Sequence, residues 1–150
     1  MQELASQLES LIDEHMAALR SIPGDKMEYK PSPVKWSKKE IIGHMADSAQ
    51  NNIRRFVVAQ YEETPQILYN QDRWVAISNY QQYKTADLIT LWQLLNKHIV
   101  VILKNTSPEM AQRTCQTQDL HTIEWLAHDY VKHLRHHLHQ VLDLEPVAYP

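Results

Sequence analysis

The sequence comprises 150 residues with a formal net charge of −3, and this length suits a single domain, residues 1–150, with one hydrophobic core. The slight negative charge argues against a nucleic-acid-binding surface, which would need clustered lysines and arginines. Only two glycines occur, and the abundance of Leu, Ala, Gln, Glu, Lys and His favours an all-α domain.

The single cysteine, Cys115, excludes an internal disulfide and predicts a reducing compartment, which we expect to be the cytoplasm. Glu3 and Glu9 interrupt the early apolar residues, so no signal peptide is expected. The longest apolar run, Ile99 to Leu103, is far too short to span a bilayer. The sequence therefore predicts a soluble protein that binds neither nucleic acid nor a membrane.

Two long helices are predicted in the first part of the chain. The first spans Gln2 to Arg20, and a loop with three prolines follows it from Ser21 to Pro33. The second begins at a capping box formed by Ser37 and Glu40 and continues to about Gln60. Its face carries a polar stripe at helical spacing: His44, Ser48, Asn51 and Arg55. Such a stripe is either a solvated outer face or one wall of a cleft.

The connection from Glu62 to Lys84 contains a short predicted helix, from Asp72 to Tyr80. Its length allows the chain to cross back along a bundle, so that the second and third long helices run parallel. The third helix is predicted from a Thr85 cap to about Leu103, and its apolar residues cover more than one face. This apolar surface indicates deep burial or a homodimer contact. Residues Cys115 to Asp119 are predicted to form a polar linker.

The final helix, predicted from Ile123 to Leu144, holds five of the nine histidines. His133 and His137 lie four residues apart on the side that Leu126 and Val141 mark as inward, where two imidazoles can bind one metal ion. A hydrogen-bonded core histidine is the alternative. The remaining three histidines of this helix are predicted to be solvated: His128, His136 and His139.

The depth of each histidine in its helix connects His44 to this pair. At 1.5 Å per residue, His44 lies about 10 Å below the start of its helix, whereas His137 and His133 lie about 10 and 16 Å from the end of theirs. Antiparallel packing brings the three side chains to the same level, and parallel packing does not. Three neutral imidazoles with an open position are typical of a catalytic metal site, because structural sites are usually closed by four ligands.

Three motifs stand out along the chain: Trp36 to Ser48, Tyr69 to Trp74, and His133 with His137 and Gln140. Together they resemble motifs of the DinB/YfiT-like superfamily. The segment Trp36 to Ser48 is similar to its second-helix signature, and Tyr69 to Trp74 is similar to a short middle segment. The final-helix motif is matched by His133, His137 and Gln140. The resemblance covers nearly the whole chain and implies a four-helix bundle with up-down-down-up helices. It also implies a divalent metal held by three histidines, which correspond by position to His44, His133 and His137.

Such a site supports two kinds of reaction. It can lower the pKa of bound water towards neutrality and so create a hydrolytic nucleophile. It can also bind a low-molecular-weight thiol as a thiolate and prime it for S-transfer. Characterised members of the superfamily include metal-dependent thiol S-transferases and a thiol-dependent isomerase, so the resemblance favours a thiol-dependent transferase or isomerase acting on a small molecule. A metal-dependent hydrolase and a non-catalytic binding protein are the alternatives.

Further residues near the three histidines are candidates for supporting roles. Asp47 and Asp129 suit a general base or a group that orients a metal ligand. Gln140 suits a donor to an imidazole or to the substrate. The polar stripe supplies the candidate substrate-binding residues Ser48, Asn51 and Arg55. The guanidinium of Arg55 suits an anionic group such as a carboxylate.

We therefore expect one divalent metal ion, with a low-molecular-weight thiol as co-substrate in the favoured reaction. Zinc is the default metal for three histidines, and nickel, iron or manganese are the alternatives. Cys115 is a poor candidate nucleophile, because no base lies near it in the predicted linker.

Overall fold

Four long helices carry the fold of the computed structural model, which describes residues 1–149. They are α1 (Gln2–Ser21), α3 (Lys38–Val58), α5 (Thr85–Asn105) and α7 (Ile123–Val141). The shorter elements are α2 (Gly24–Glu28), α4 (Gln71–Ser78), a 3-10 turn (Tyr80–Gln82), α6 (Pro108–Ala111), β1 (Thr114–Gln116) and β2 (Leu120–Thr122). The predicted four-helix bundle, with a short extra helix between the second and third long helices, is confirmed.

Hydrogen bonds between helix ends define two antiparallel pairs. Gln2 Nε2 donates to Lys104 O at 2.6 Å, so the start of α1 meets the end of α5. Lys38 Nζ donates to Val141 O at 2.6 Å, so the start of α3 meets the end of α7. The second pair is the one that the depth argument required.

The long connection between α3 and α5 returns the chain to the start of α3. Gln81, which precedes α5, donates from Nε2 to Ser37 Oγ at 2.9 Å. Helices α3 and α5 therefore run parallel. The rings of His15 and His139, each near the end of its helix, lie 6.5 Å apart, so α1 and α7 are parallel as well. The predicted up-down-down-up order is confirmed.

Side-chain caps fix where the helices of the site begin. Ser37 Oγ accepts from Glu40 N at 3.1 Å and Ser37 N donates to Glu40 Oε2 at 2.7 Å, which is the predicted capping box of α3. Thr122 Oγ1 accepts from Trp125 N at 3.1 Å at the start of α7. The predicted Thr85 cap is wrong, because Lys84 is the N-cap of α5 and makes no side-chain cap bond.

Helix α7 ends at Val141, three residues before the predicted end. Asp143 adopts a left-handed backbone conformation with φ of 55°. The Leu144 N–H donates to His139 O at 2.9 Å, which is the bond of a Schellman-type C-terminus. Leu144, the predicted last residue of the helix, follows the reversal at Asp143 and is 44% exposed.

The predicted polar linker is instead a β-hairpin that supports the long connection. β1 pairs antiparallel with β2, with Cys115 opposite His121. The backbone of Gln116 makes two hydrogen bonds to the long connection. Its N–H donates to Pro65 O, and its carbonyl accepts from the Ile67 N–H, each at 2.9 Å. Cys115 is fully buried, and its thiol donates to Pro65 O at 3.2 Å. The prediction that Cys115 lies in a polar linker is wrong.

Helix α5 is the core helix of the bundle. By length and composition alone it could cross a membrane, but it packs against both α1 and α3. Its buried residues are Leu88, Ile89, Trp92, Asn96, Ile99, Val100 and Leu103. Leu94 and Val101 on its outer side are 60% and 54% exposed. The homodimer contact expected from this apolar surface stays a prediction.

Replacement of Gly43 by alanine is expected to destabilise the protein by about 1–3 kcal/mol. A Cβ on Gly43 would overlap Cδ2, Cε2 and Cγ of the Tyr80 ring, which is buried and holds the 3-10 turn against α3. The overlap should outweigh the gain of about 1 kcal/mol that alanine brings to a helix interior. Urea unfolding of the variant against wild type measures the difference.

Gly24 provides the matched control for this substitution, because a Cβ at Gly24 meets no atom within 4 Å. Gly24→Ala should leave the free energy of unfolding within about 0.5 kcal/mol of wild type. Equal stability of both variants and wild type would show that Tyr80 does not depend on the missing side chain of Gly43.

Candidate metal centre

Three imidazoles from two antiparallel helices meet at one point. His44 comes from the second turn of α3, and His133 and His137 come from the last turns of α7. The Nε2 atom of His133 lies 3.1 Å from Nε2 of His44 and 3.0 Å from Nε2 of His137. The ligand atoms of all three rings lie within 4.8 Å of one another. The three predicted metal ligands are therefore brought together by the fold.

The chemistry of this donor set fits a divalent metal ion. A neutral imidazole has one N–H, so three Nε2 atoms that converge on one point cannot satisfy one another by hydrogen bonds alone. A metal bound by these lone pairs resolves the conflict. Tetrahedral zinc with Zn–N distances near 2.0–2.1 Å places its nitrogen ligands about 3.3 Å apart, close to the observed spacings.

The surroundings keep these rings in the neutral form that binds metals. Burial lowers the pKa of His44 to about 3, with a further contribution from His137. Burial also lowers the pKa of His133, and the three neighbouring histidines act in the same direction. The pKa of His137 is lowered by burial too, although its contact with Gln140 opposes the change. Neutral imidazoles leave their lone pairs available to a cation.

The far nitrogens of the rings show what orients them. His137 Nδ1 lies 3.0 Å from Gln140 Oε1, so its N–H donates there when Nε2 is the ligand atom. His44 Nδ1 is buried and has no hydrogen-bond partner among residues 1–149. Gln140 therefore contacts an imidazole, as its spacing predicted, but it accepts the hydrogen bond rather than donating it.

Asp47 lies one turn after His44 but does not face the cavity described below. Its Oδ1 accepts from the Tyr80 hydroxyl at 2.5 Å, and its buried Oδ2 has no partner within the described chain. Burial raises the pKa of Asp47 to about 6, against the opposing effect of the Tyr80 hydrogen bond. The Asp47 carboxylate therefore bonds Tyr80 and does not reach a substrate in the cavity.

The three histidines form one end of a cavity of about 820 Å³ between α3, α7, the long connection and the hairpin. A cavity of this size accommodates a small organic molecule. The wall includes Asp129 and the predicted substrate residues Ser48 and Arg55, but not Asn51. The Asn51 amide instead donates to Asp47 O at 2.9 Å, and the neighbouring Asn52 lies on the wall.

The C-terminal segment covers one side of the cavity, which no sequence pattern predicted. The Tyr149 hydroxyl donates to Asp129 at 2.9 and 3.1 Å from its two carboxylate oxygens. The Tyr149 ring lies 5.2 Å from the ring of His133. His136 Nδ1 lies 2.7 Å from Val147 O, and the ring lines the cavity. The prediction that His136 is solvated is wrong, whereas His128 is exposed as expected.

Aromatic side chains line part of the cavity, and none was predicted to belong to the site. The Trp36 ring lies 5.0 Å from that of His44. The rings of His121 and Trp125 are stacked with centroids 3.6 Å apart, and Trp125 is 48% exposed. These rings give the cavity apolar surface beside its polar wall.

Comparisons with known proteins identify relatives of the chain. A family model described as the DinB superfamily matches residues 7–141. The chain is 29% identical over 116 residues to the “Putative metal-dependent hydrolase YfiT” of Bacillus subtilis (strain 168), an alignment that covers 73% of this chain and 64% of that protein. A protein with the same functional name from Halalkalibacterium halodurans is 29% identical over 106 residues, with 69% and 61% covered. The chain thus matches less than two thirds of the length of these relatives.

One solved structure shares the arrangement of helices. It is YfiT from Bacillus subtilis, described as a “probable metal-dependent hydrolase with an unusual four-helix bundle topology”. The similarity has a TM-score of 0.83 with 21% sequence identity, and it covers 94% of this chain and 83% of that chain. This similarity supports the fold.

Proposed function

Because this chain belongs to the DinB superfamily, whose family model matches residues 7–141, we propose that it is a divalent-metal-dependent hydrolase of a small molecule. The observation that carries the proposal is the convergence of three Nε2 atoms at the end of a cavity that also contains a carboxylate. The names of the curated relatives refer to hydrolysis. Hydrolysis therefore replaces the thiol-dependent reaction as the first proposal.

In the proposed reaction His44, His133 and His137 hold the metal through Nε2, and Gln140 fixes the ring of His137. A divalent metal with three imidazole ligands and an open position lowers the pKa of water and polarises a carbonyl group. We propose zinc as this metal and the cytoplasm as the location of the enzyme. The chain's own residues supply the remaining steps.

Asp129 is the residue that we propose as general base. Its carboxylate lies on the cavity wall one turn before His133, whereas Asp47 is turned away from the cavity. The Tyr149 hydroxyl donates to both carboxylate oxygens and holds the group in place. Burial and the contact with Asp129 raise the pKa of Tyr149, so the phenol keeps its proton. Asp129 can then accept a proton from water and return it to the leaving group.

The test is turnover of ester and amide panels by metal-free protein reloaded with zinc, manganese, nickel or iron, without added thiol. We expect turnover that a chelator abolishes and the metal restores. Asp129→Asn should lower kcat about 100-fold or more with the metal content unchanged. Asp13→Asn, at an exposed position of α1, is the matched control.

The outcome that would overturn the proposal is also specific. No metal-dependent hydrolysis, combined with metal-dependent conjugation of monochlorobimane by bacillithiol, mycothiol or glutathione, would favour the thiol-dependent reaction. Full metal occupancy with neither activity would favour a binding protein.

A further inference from the structure

Arg55 lies on the cavity wall, further along α3 than His44, and it makes no salt bridge with any residue of the described range 1–149. The side chain is half-buried. The salt bridges within residues 1–149 join other side chains, and no carboxylate oxygen lies within 4.0 Å of Arg55. A half-buried charge without a salt bridge is less stable than an exposed one, because burial removes water that would otherwise solvate it. Burial lowers the pKa of the Arg55 guanidinium, and the charge of Asp129 across the cavity opposes this change only in part.

The hydrogen bonds of Arg55 use only some of the N–H groups of its guanidinium. Nε and Nη2 donate to Ile67 O at 3.3 and 3.2 Å, and Nη1 donates to Asn52 Oδ1 at 3.4 Å. These bonds are longer than the usual value of about 2.9 Å, and the acceptors are neutral. A guanidinium has five N–H groups. One N–H on each terminal nitrogen therefore has no acceptor within the described chain.

The neighbours hold this guanidinium in a fixed position at the cavity. The bonds to Ile67 O anchor its Nε side to the long connection. The Tyr69 ring, also on the cavity wall, lies 5.8 Å from Arg55 Cζ, within the range of a cation–π contact. A guanidinium that is already immobilised loses little entropy when it binds a ligand.

We infer that Arg55 binds a carboxylate of the substrate, and that the substrates are small carboxylic acids that carry an ester or amide. The two unused N–H groups match the two oxygens of a carboxylate. Asp72, Asp119 and Asp129 also line the cavity, so a singly charged carboxylate is favoured over a doubly charged phosphate by Coulomb repulsion.

The position of Arg55 also limits the shape of the substrate. It lies on the same side of α3 as His44, and eleven residues correspond to about 16 Å along the helix axis. The arginine side chain covers part of this distance. The carboxylate is then several bonds from the group that is hydrolysed, as in acylated amino acids and short peptides. The role in substrate recognition rests on the proposed hydrolase function, whereas the binding of the carboxylate does not.

The test measures binding by calorimetry to the metal-free full-length protein, so that the metal cannot bind the carboxylate itself. The probes are N-acetylglycine, N-butyrylglycine and N-benzoylglycine, each compared with its C-terminal amide. At least one acid should bind wild type about 10- to 100-fold more tightly than its amide, as expected for hydrogen bonds to a charged group. Arg55→Gln should remove this preference, and Arg55→Lys should retain part of it.

Arg54→Gln is the matched control, because Arg54 is the exposed neighbour of Arg55 and the substitution removes the same charge. It should keep the full preference for the acid. Thermal unfolding and zinc stoichiometry of each variant show whether the bundle and the metal site are intact, and Arg55→Lys keeps the test decisive if Arg55→Gln does not fold.

Three results would overturn the inference. They are equal binding of every acid and its amide by wild type, an unchanged preference in the folded Arg55→Gln variant, and tighter binding of N-acetylaminomethylphosphonate than of N-acetylglycine. Failure of the proposed function is distinguishable from these results. If no metal supports hydrolysis but the preference depends on Arg55, the carboxylate site stands without the hydrolase.

Discussion

Replacement of His133 by alanine is expected to abolish stoichiometric metal binding. His133 is the central ligand, because its Nε2 atom lies 3.1 Å from that of His44 and 3.0 Å from that of His137. Without it, the two remaining imidazoles come from different helices and no chelating pair on one helix is left. If the binding free energy of zinc is divided among four ligands, each accounts for about 3 kcal/mol, or about 100-fold in affinity.

Elemental analysis of untagged protein measures this effect, and a competition titration with a chromophoric chelator gives the affinity. The wild type should carry one equivalent of metal, and His133→Ala should carry almost none after dialysis. His128→Ala is the matched control, since His128 lies on the same helix but is exposed. Retention of one tightly bound metal by the His133 variant would mean that the three rings are a hydrogen-bonded cluster and not a metal site.

The metal ligands could be predicted from the sequence because their placement depends on local rules. The spacing of His133 and His137 is one helical turn, and the caps at Ser37 and Thr122 fix where each helix begins. Once the two helices are antiparallel, the rise per residue sets the depth of His44. Each of these steps uses only the geometry of a regular helix.

The cavity wall could not be predicted with the same precision. Helical spacing places residues on the polar stripe of α3, but it does not show which edge of the stripe faces the cavity and which is covered by other residues. At about 100° per residue, Arg55, Ser48 and Asn52 lie about 20°, 40° and 80° to one side of His44, and Asn51 lies about 20° to the other. The cavity lies on the first side. The second side carries Gly43 and Asp47, and the Tyr80 ring covers it.

The rest of the wall depends on contacts between residues that are distant in the sequence. The hairpin at Cys115 has strands of three residues, too short for a recognisable alternation, and it is held by bonds to Pro65 and Ile67. Tyr149 lies twenty residues after its partner Asp129 and follows the reversal at Asp143. No local pattern predicts either contact.

The metal-free protein is expected to become less stable as the pH falls from about 7.5 to about 5.5. Burial lowers the pKa of His44 to about 3 and also lowers that of His133, whereas an unfolded histidine has a pKa near 6.5. The unfolded chain therefore binds protons that the folded state does not. This contribution to stability is fully present above about pH 6.5 and is lost as the pH falls.

Each of these two histidines should reduce the free energy of unfolding by about 1.4 kcal/mol at about pH 5.5. Asp47 acts in the opposite direction, because burial raises its pKa to about 6. Its folded carboxyl group takes up a proton in this range and restores about 1 kcal/mol. The expected net loss from these three groups is about 2 kcal/mol, and the lowered pKa of His137 adds to it. This is a substantial part of the stability of a domain of this size.

Urea unfolding of chelator-treated protein at the two pH values measures this loss, and two variants separate its causes. His133→Asn removes one imidazole and should reduce the loss by about 1.4 kcal/mol, whereas Asp47→Asn should increase it by about 1 kcal/mol. His128→Asn, at an exposed position, should behave as wild type. Equal wild-type stability at both pH values would contradict the buried neutral histidines. Opposite changes in the two variants are diagnostic, because surface carboxylates that titrate in this range would affect every variant equally.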